Sequence, residues 1–153
     1  EPHLLMRLRI TQQTREEDIP RVRDIYARAQ VAAEIAPFFN DLPTRIADAH
    51  LIVSRSGAGT VAELSAIGRS GILVPLPHAL DQDQLANAGV LQKAGGAIRI
   101  NQPDFTPERL SAEVAALAET PERLSRMAAA ARTAGTVDAA ERLADLVLRI
   151  ARR

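Results

Sequence analysis

Between Ser54 and Glu63 the chain reads SRSGAGTVAE, which gathers three hydroxyl side chains, an arginine, two glycines and a carboxylate into ten residues. Hydroxyls, guanidinium groups and bare backbone N–H groups are the donors that hold phosphate oxygens. Leu51, Ile52 and Val53, suited to a buried strand, lead into this stretch, and a helical pattern ending near Gly68 follows it directly. A strand, a tight loop and a helix start are therefore expected. The first N–H groups of a helix have no partner within it and carry the positive end of its dipole, so they favour an anion. Gly57 and Gly59 would let a phosphate reach the backbone with no Cβ in the way. They equally suit a plain strand-to-helix turn, and spacing alone leaves both readings open. It matches neither G-x-x-x-x-G-K-[ST] nor G-x-G-x-x-G, which sets aside the P-loop and the dinucleotide fingerprint.

Glu63 falls about one turn into the expected helix, on or near the face towards the loop. A carboxylate there suits hydroxyl donors such as a ribose diol, although a solvated helix-start charge is the alternative. Further on, His78, Asp81, Asp83, Gln84 and Asn87 follow an apolar strand pattern at Gly71 to Pro75. Ligands of open parallel sheets gather in that zone, beyond the carboxyl ends of the strands. Phe38 and Phe39 are two of the three phenylalanines in a chain with 3% aromatics. They suit local core or a ligand platform.

The elements that must position these groups can be read in order. Leu4 to Thr11 alternates apolar residues with arginines and predicts a strand with one face more exposed, followed by a loop at Gln12 to Arg15. Glu16, Glu17 and Asp18 suit the first turn of a helix carrying Ile19, Val22, Ile25 and Tyr26, with Pro20 tolerated near its start. Val31 to Ala36 predicts a second strand closed by Pro37, and Thr44 to Ala49 a short helix. The central strand, loop and helix come next, then the strand Gly71 to Pro75, a helix from about Gln82 to Ala94 ended by Gly95-Gly96, and a strand at Ala97 to Ile100. Thr106-Pro107 and Thr120-Pro121 each read as an N-cap followed by proline at the first helical position. Thr136-Val137-Asp138 opens a last helix through Ile150, with Leu143, Leu146, Val147 and Ile150 at helical spacing. This alternation predicts an α/β fold with a doubly wound parallel sheet of about five strands, in one domain over 1–153 whose part 106–153 is helical.

With 46% hydrophobic residues among 153, the chain can bury a full core and is no disordered tail. Nineteen basic and nineteen acidic residues cancel, which removes the electrostatic case for a general nucleic-acid binder. Zero cysteines exclude disulfides, thiolate metal sites and a cysteine nucleophile, and a reducing cytosol fits that. His3, His50 and His78 lie too far apart to suggest a metal site from spacing. No apolar run approaches the roughly 20 residues of a membrane span, nor does the N-terminus carry a signal-peptide pattern, so a soluble chain or surface binder is expected. It begins at Glu1-Pro2-His3 without an initiator Met and enters a strand-like pattern at once, which suggests a piece of a longer protein.

The run Arg55-Ser56-Gly57-Ala58-Gly59-Thr60-Val61-Ala62-Glu63, with Pro75, His78 and Asp83-Gln84-Leu85-Ala86-Asn87 downstream, resembles the C-terminal domain of the MurG family. That family transfers N-acetylglucosamine from its UDP carrier to undecaprenyl-pyrophosphoryl-muramoyl-pentapeptide, converting lipid I to lipid II in peptidoglycan synthesis. The resemblance extends over essentially the whole chain. It implies one half of a GT-B glycosyltransferase, a Rossmann-like parallel sheet of about five to six strands with flanking helices, whose substrate is UDP-N-acetylglucosamine and which uses no cofactor.

Residue by residue, the resemblance gives the diphosphate to Ser56, Gly57, Ala58, Gly59 and Thr60, the ribose hydroxyls to Glu63, and the uracil to the backbone at Phe39. A pair of glutamines that reads the sugar falls on Asp83 and Gln84; the first is Asp here, which keeps a hydroxyl acceptor and loses an amide donor. Arg55 and Asn87 complete the expected substrate-binding set. No catalytic residue is expected in this chain, because the family's acceptor site, acid/base candidate and hydrophobic membrane patch belong to the N-terminal domain. By the same implication the full-length enzyme is peripheral to the cytoplasmic face of the bacterial inner membrane, and lipid I and the membrane are met through that other domain. A different class of function, a stand-alone nucleotide-binding or scaffold domain without catalysis, is the alternative.

Overall fold

The computed structural model of the chain describes residues 2–77 and 82–151. In chain order the elements are α1 (Pro2–Leu5), β1 (Arg9–Gln13), α2 (Ile19–Arg28), β2 (Ala32–Ala36), α3 (Leu42–Asp48), β3 (Ile52–Ser54), α4 (Ala58–Ile67), β4 (Gly71–Leu73), α5 (Asp83–Ala94) and β5 (Ala97–Arg99). The helices α6 (Pro107–Ala118), α7 (Pro121–Thr133) and α8 (Ala139–Ala151) follow. Short 3-10 turns at Glu16–Asp18 and Gln102–Asp104 lead into α2 and towards α6. Strand and helix alternate as expected, and every strand pairing is parallel.

Five strands form two ladders among the described residues, β1–β2 and β3–β4–β5. The ladders differ in burial because their neighbours differ. β4 lies between β3 and β5, and Gly71, Ile72 and Leu73 are all buried, as a central parallel strand covered on both faces must be. Leu73 joins a cluster with Ala97 of β5 and with Ile46, Leu64, Ala88, Leu91 and Ala131, which α3, α4, α5 and α7 supply on one side. Ile72 packs with Ile100, Leu117 and Met127, the last two from α6 and α7. Successive side chains of a strand point to opposite faces, so this one strand joins two half-cores. In β1 and β2, by contrast, exposed and half-buried positions alternate, the one-sided pattern that the arginines of the first strand predict.

That first strand is displaced from its expected position at Leu4 to Thr11. Leu4 and Leu5 belong to α1, and bonds from Arg7 N to Leu4 O (3.0 Å) and Leu8 N to Leu5 O (3.2 Å) turn the chain before β1 begins at Arg9. Gln12 and Gln13, expected in a loop, pair with Ile35 and Ala36. The Tyr26 hydroxyl donates to the Gln12 side chain, so a contact from α2 helps hold the strand end. Parallel pairing across an intervening helix decides the register, and local alternation cannot report it.

Some helix ends follow their sequence signals and others do not; α3, expected from Thr44, begins at Leu42. Gly68 closes α4 with φ 76°, and its N–H donates to Leu64 O at 2.9 Å. Thr106 caps α6 by accepting from Arg109 N at 3.1 Å, whereas Thr120, in the same Thr-Pro-Glu-Arg setting, makes no side-chain cap. Their backbones differ, ψ 160° at Thr106 against 72° at Thr120, which turns the second hydroxyl away from the helix end. α8 has no buried residue, and Leu143, Leu146, Val147 and Ile150 are exposed along it. No helix among the described residues is long and apolar enough to cross a membrane.

The turn between α5 and β5 meets α7 closely at Gly96, where a Cβ would lie 2.6 Å from the Ala131 Cα. Backbone cannot yield as a flexible side chain can, so Gly96→Ala is expected to destabilise the fold by about 1–3 kcal/mol, read as a lower urea midpoint at unchanged slope.

Candidate functional site

The loop between β3 and α4 forms as the sequence predicts, and its details separate the two readings of the glycines. Gly57 is the N-cap residue with φ −60° and ψ 154°, an extended conformation open to any residue. A Cβ at Gly57 or Gly59 would meet nothing within 4 Å. Neither backbone conformation nor internal packing calls for glycine at either position. Among the described residues, what the missing side chains leave is clear space in front of the helix.

That space faces donors that have no partner among the described residues. The first intrahelical bond of α4 runs from Val61 N to Gly57 O at 3.1 Å, so the N–H groups of Ala58, Gly59 and Thr60 precede the regular ladder. Gly57 has no side chain with which to cap them. Three such N–H groups at the positive end of a ten-residue helix are suited to an anion, and the helix start is called the cradle below. Glu63 lies four residues after Gly59, one turn of about 5.4 Å along the same face. Its carboxylate is half-buried and has no hydrogen-bond or ion-pair partner among the described residues. A negative phosphate at the helix end and a free carboxylate one turn below suit one ligand that offers anionic oxygens at one end and hydroxyls next to them.

The cradle is held by polar contacts centred on buried Ser56. Ser56 is 0% exposed, and its Oγ donates to Gln84 O at 2.8 Å. Asn87 Nδ2 donates to Ser56 O at 3.3 Å, and Gln84 Oε1 accepts from Leu76 N at 3.0 Å. These bonds tie together the loop after β3, the segment after β4 and the first turn of α5. Arg55 Nη1 donates to Val74 O at 3.2 Å and Pro75 O at 3.4 Å, and Ser54 Oγ to Arg55 O at 3.0 Å. The Ser54, Ser56 and Arg55 side chains, expected to face phosphate, thus bond carbonyls of the frame, while the Thr60 hydroxyl makes no such bond among the described residues.

Asp83 and Gln84 open α5, and Asp83 Oδ1 accepts from Gln84 N at 2.7 Å. Asp83 is exposed and Gln84 partly so. His78 and Asp81 lie outside the described residues. Among the described residues no group of three or more histidine, aspartate or glutamate side chains could hold a metal ion. A separate groove of about 500 Å³ along α5 is lined by Gln82, Leu85, Ala86, Gly89, Val90, Lys93 and Arg99.

The turn after β2 carries the two phenylalanines, and the structure divides them. Phe39 is buried at 7% exposure, whereas Phe38 beside it is 67% exposed. Over the Phe39 ring lies Arg45, its guanidinium carbon 4.2 Å from the ring centroid. Arg45 also donates to Asp41 Oδ1 (2.7 Å) through Nε and to both Glu34 oxygens (2.7 and 3.0 Å) through Nη1 and Nη2. These bonds hold the Asp41 carboxyl below the usual carboxylate range, the hydrogen bond from Arg45 being the main cause. Sequence reasoning passed over Arg45. The Asp41–Arg45 spacing of four on a helix was the signal that could have found it.

Residues 3–143 match the glycosyltransferase family 28 C-terminal domain. The chain is 67% identical over 152 residues to a protein of Rhodopseudomonas palustris (strain ATCC BAA-98 / CGA009), covering 99% of this chain and 42% of that one. That relative is named UDP-N-acetylglucosamine--N-acetylmuramyl-(pentapeptide) pyrophosphoryl-undecaprenol N-acetylglucosamine transferase. A protein of the same name from Nitrobacter winogradskyi is also 67% identical, with 99% of this chain and 41% of that one covered. Among solved structures, Acinetobacter baumannii MurG superposes with a TM-score of 0.85 at 30% identity over 97% of this chain and 46% of that one. A glycotransferase of kitacinnamycin, at 23% identity and a TM-score of 0.56, shares the fold over 93% of this chain and 43% of that one. The chain thus spans under half the length of the proteins it matches.

Gly59→Ala separates the cradle from the helix. Alanine in the first turn is expected to raise stability by about 0.5–1 kcal/mol and to weaken inorganic pyrophosphate, as read by thermal unfolding and titration calorimetry. Lower stability with unchanged pyrophosphate affinity would return the glycine to a purely structural part.

Proposed function

Since the chain belongs to the glycosyltransferase family 28 C-terminal domain, we propose that it is the donor-binding half of an N-acetylglucosaminyltransferase of peptidoglycan synthesis. Its ligand in this reading is UDP-N-acetylglucosamine, and the acceptor is the undecaprenyl-pyrophosphoryl-muramoyl-pentapeptide that its relatives' name describes. The observation that carries the reading is the open glycines Gly57 and Gly59 at a helix start where the N–H groups of Ala58, Gly59 and Thr60, and the Glu63 carboxylate one turn on, have no partner among the described residues. A nucleoside diphosphate offers charged oxygens and a ribose diol at that separation. Phe39 then contributes backbone groups to the uracil, and Asp83 and Gln84 face the sugar hydroxyls. No cofactor besides the sugar nucleotide is called for.

The chemistry asked of this half is stabilisation of a leaving group. As an acceptor hydroxyl oxygen bonds to the anomeric carbon, the bond from that carbon to the β-phosphate oxygen breaks. UDP then departs with the electron pair. Negative charge grows on the diphosphate, where the N–H groups of α4 are already oriented and need no reorganisation. The proton leaves the acceptor hydroxyl for a base outside the residues assigned here, and the lipid acceptor and membrane surface are met by the part of the enzyme beyond this domain. A cleft closed by two domains holds its ligand with both walls, so this half alone binds the donor more weakly than the pair.

UDP at a hundredfold over its dissociation constant is expected to stabilise the chain by about 2.7 kcal/mol, seen as a raised unfolding midpoint. No shift at millimolar UDP counts against donor binding. Glu63→Ala is expected to weaken UDP by about tenfold and 2′-deoxy-UDP much less, measured by calorimetry, since a hydrogen bond to a charged group is the interaction removed. Equal weakening of both nucleotides would take the ribose away from Glu63.

A further inference from the structure

Arg45 sits where three parts of one turn meet. Through Nη1 and Nη2 it grips both oxygens of Glu34 on β2; through Nε it holds Asp41, the residue that starts α3; its flat face covers the buried ring of Phe39. Glu34 precedes the turn, Phe39 is within it and Asp41 ends it, so one side chain closes the Ala36 to Asp41 segment from both ends and from above. The sequence gives up an ordinary helix cap for this. Asp41 stands at the N-cap of α3, yet its carboxylate accepts no α3 backbone N–H and takes the Arg45 side chain instead.

Arginine suits the task for a geometric reason. Its planar fork offers parallel donors to a carboxylate and a further donor at Nε, while its face stacks on an aromatic ring. Lysine could supply the charge but only one point of contact. The ion pairs are substantially exposed, the Glu34 and Asp41 side chains at 59% and 54%, so they add little to global stability. Their effect is on where the backbone of the turn lies.

We propose that Arg45 is a positioning residue for base recognition: it fixes the backbone of Phe39 so that the N–H and C=O there meet the edge of the uracil. The inference rests on the reading of Phe39 as the uracil-binding position. It assigns no contact between Arg45 and the nucleotide. Base selectivity therefore depends on a side chain that acts through the turn, while diphosphate affinity depends on α4.

The test compares UDP, CDP and inorganic pyrophosphate on the full-length chain by titration calorimetry, for the native protein, Arg45→Ala and Arg45→Lys. Arg45→Ala is expected to weaken UDP on the order of tenfold and to narrow the preference for UDP over CDP, with pyrophosphate affinity unchanged. Arg45→Lys is expected to recover only part of the preference, because the fork is lost. Unchanged pyrophosphate binding also certifies that each variant is folded. An unaltered UDP-to-CDP ratio in both variants overturns the positioning role while leaving donor binding intact. A native protein that binds pyrophosphate without preferring UDP to CDP overturns the uracil reading itself, and the proposal with it.

Discussion

The structure depends on one buried hydroxyl. Ser56 is removed from solvent between β3 and α4, and its Oγ donates to the carbonyl of Gln84 at the start of another helix. Asn87 returns a bond to the Ser56 carbonyl, and the Gln84 side chain takes the Leu76 N–H. A buried hydroxyl without a partner costs about 1–3 kcal/mol, so this set forms together or leaves a penalty in place. Because it does form, two strand ends and two helix starts are held in a single arrangement. The open N–H groups of α4 then point at a fixed place, and preorganisation of that kind is what a developing charge requires.

Local stability is given up around the cradle. Glycine in a first helical turn is poorer than alanine, an uncapped helix start leaves donors idle, and a free half-buried carboxylate at Glu63 has no internal compensation. None of these is repaired within the described residues, though a serine or aspartate at position 57 would cap the helix at little steric cost. A ligand that supplies phosphate oxygens and hydroxyls answers the last two, and the bare glycines leave it room. The Arg45 cluster follows the same logic at the neighbouring turn, where an aspartate at a cap position serves a side chain in place of the helix. Both departures from good helix chemistry fall at the proposed nucleotide contacts, which is where local rules are expected to yield.

Much of the fold was legible because its signals are local. The apolar runs at β3, β4 and β5 and the glycines that close α4 and α5 lie within a few residues of the elements they define. Thr106 met its expectation as a cap and Thr120 did not, although both are followed by Pro-Glu-Arg-Leu-Ser, because ψ at Thr120 follows from how α6 delivers the chain into α7. β1 moved for a related reason. Its register comes from β2 and from Tyr26 on α2, neither of which the alternation at Leu4 to Thr11 contains.

By itself the sequence indicated a helix start in the glycine stretch, expected after Gly59 and found two residues earlier at Ala58, with Glu63 about one turn into that helix. These are consequences of helical periodicity and of glycine having no side chain. Only the tertiary structure decided which polar groups face outward. Ser56 and Arg55 read as phosphate donors in one dimension, yet both turn to carbonyls of the frame, because buried carbonyls at Gln84, Val74 and Pro75 come within reach once β4 lies beside β3. Arg45 gained its part in the same way, when β2 brought Glu34 and the turn brought Phe39 to the face of α3. A side chain's partners are fixed by what packs next to it, and spacing along the chain carries that information only within a turn of helix or a pair of strands.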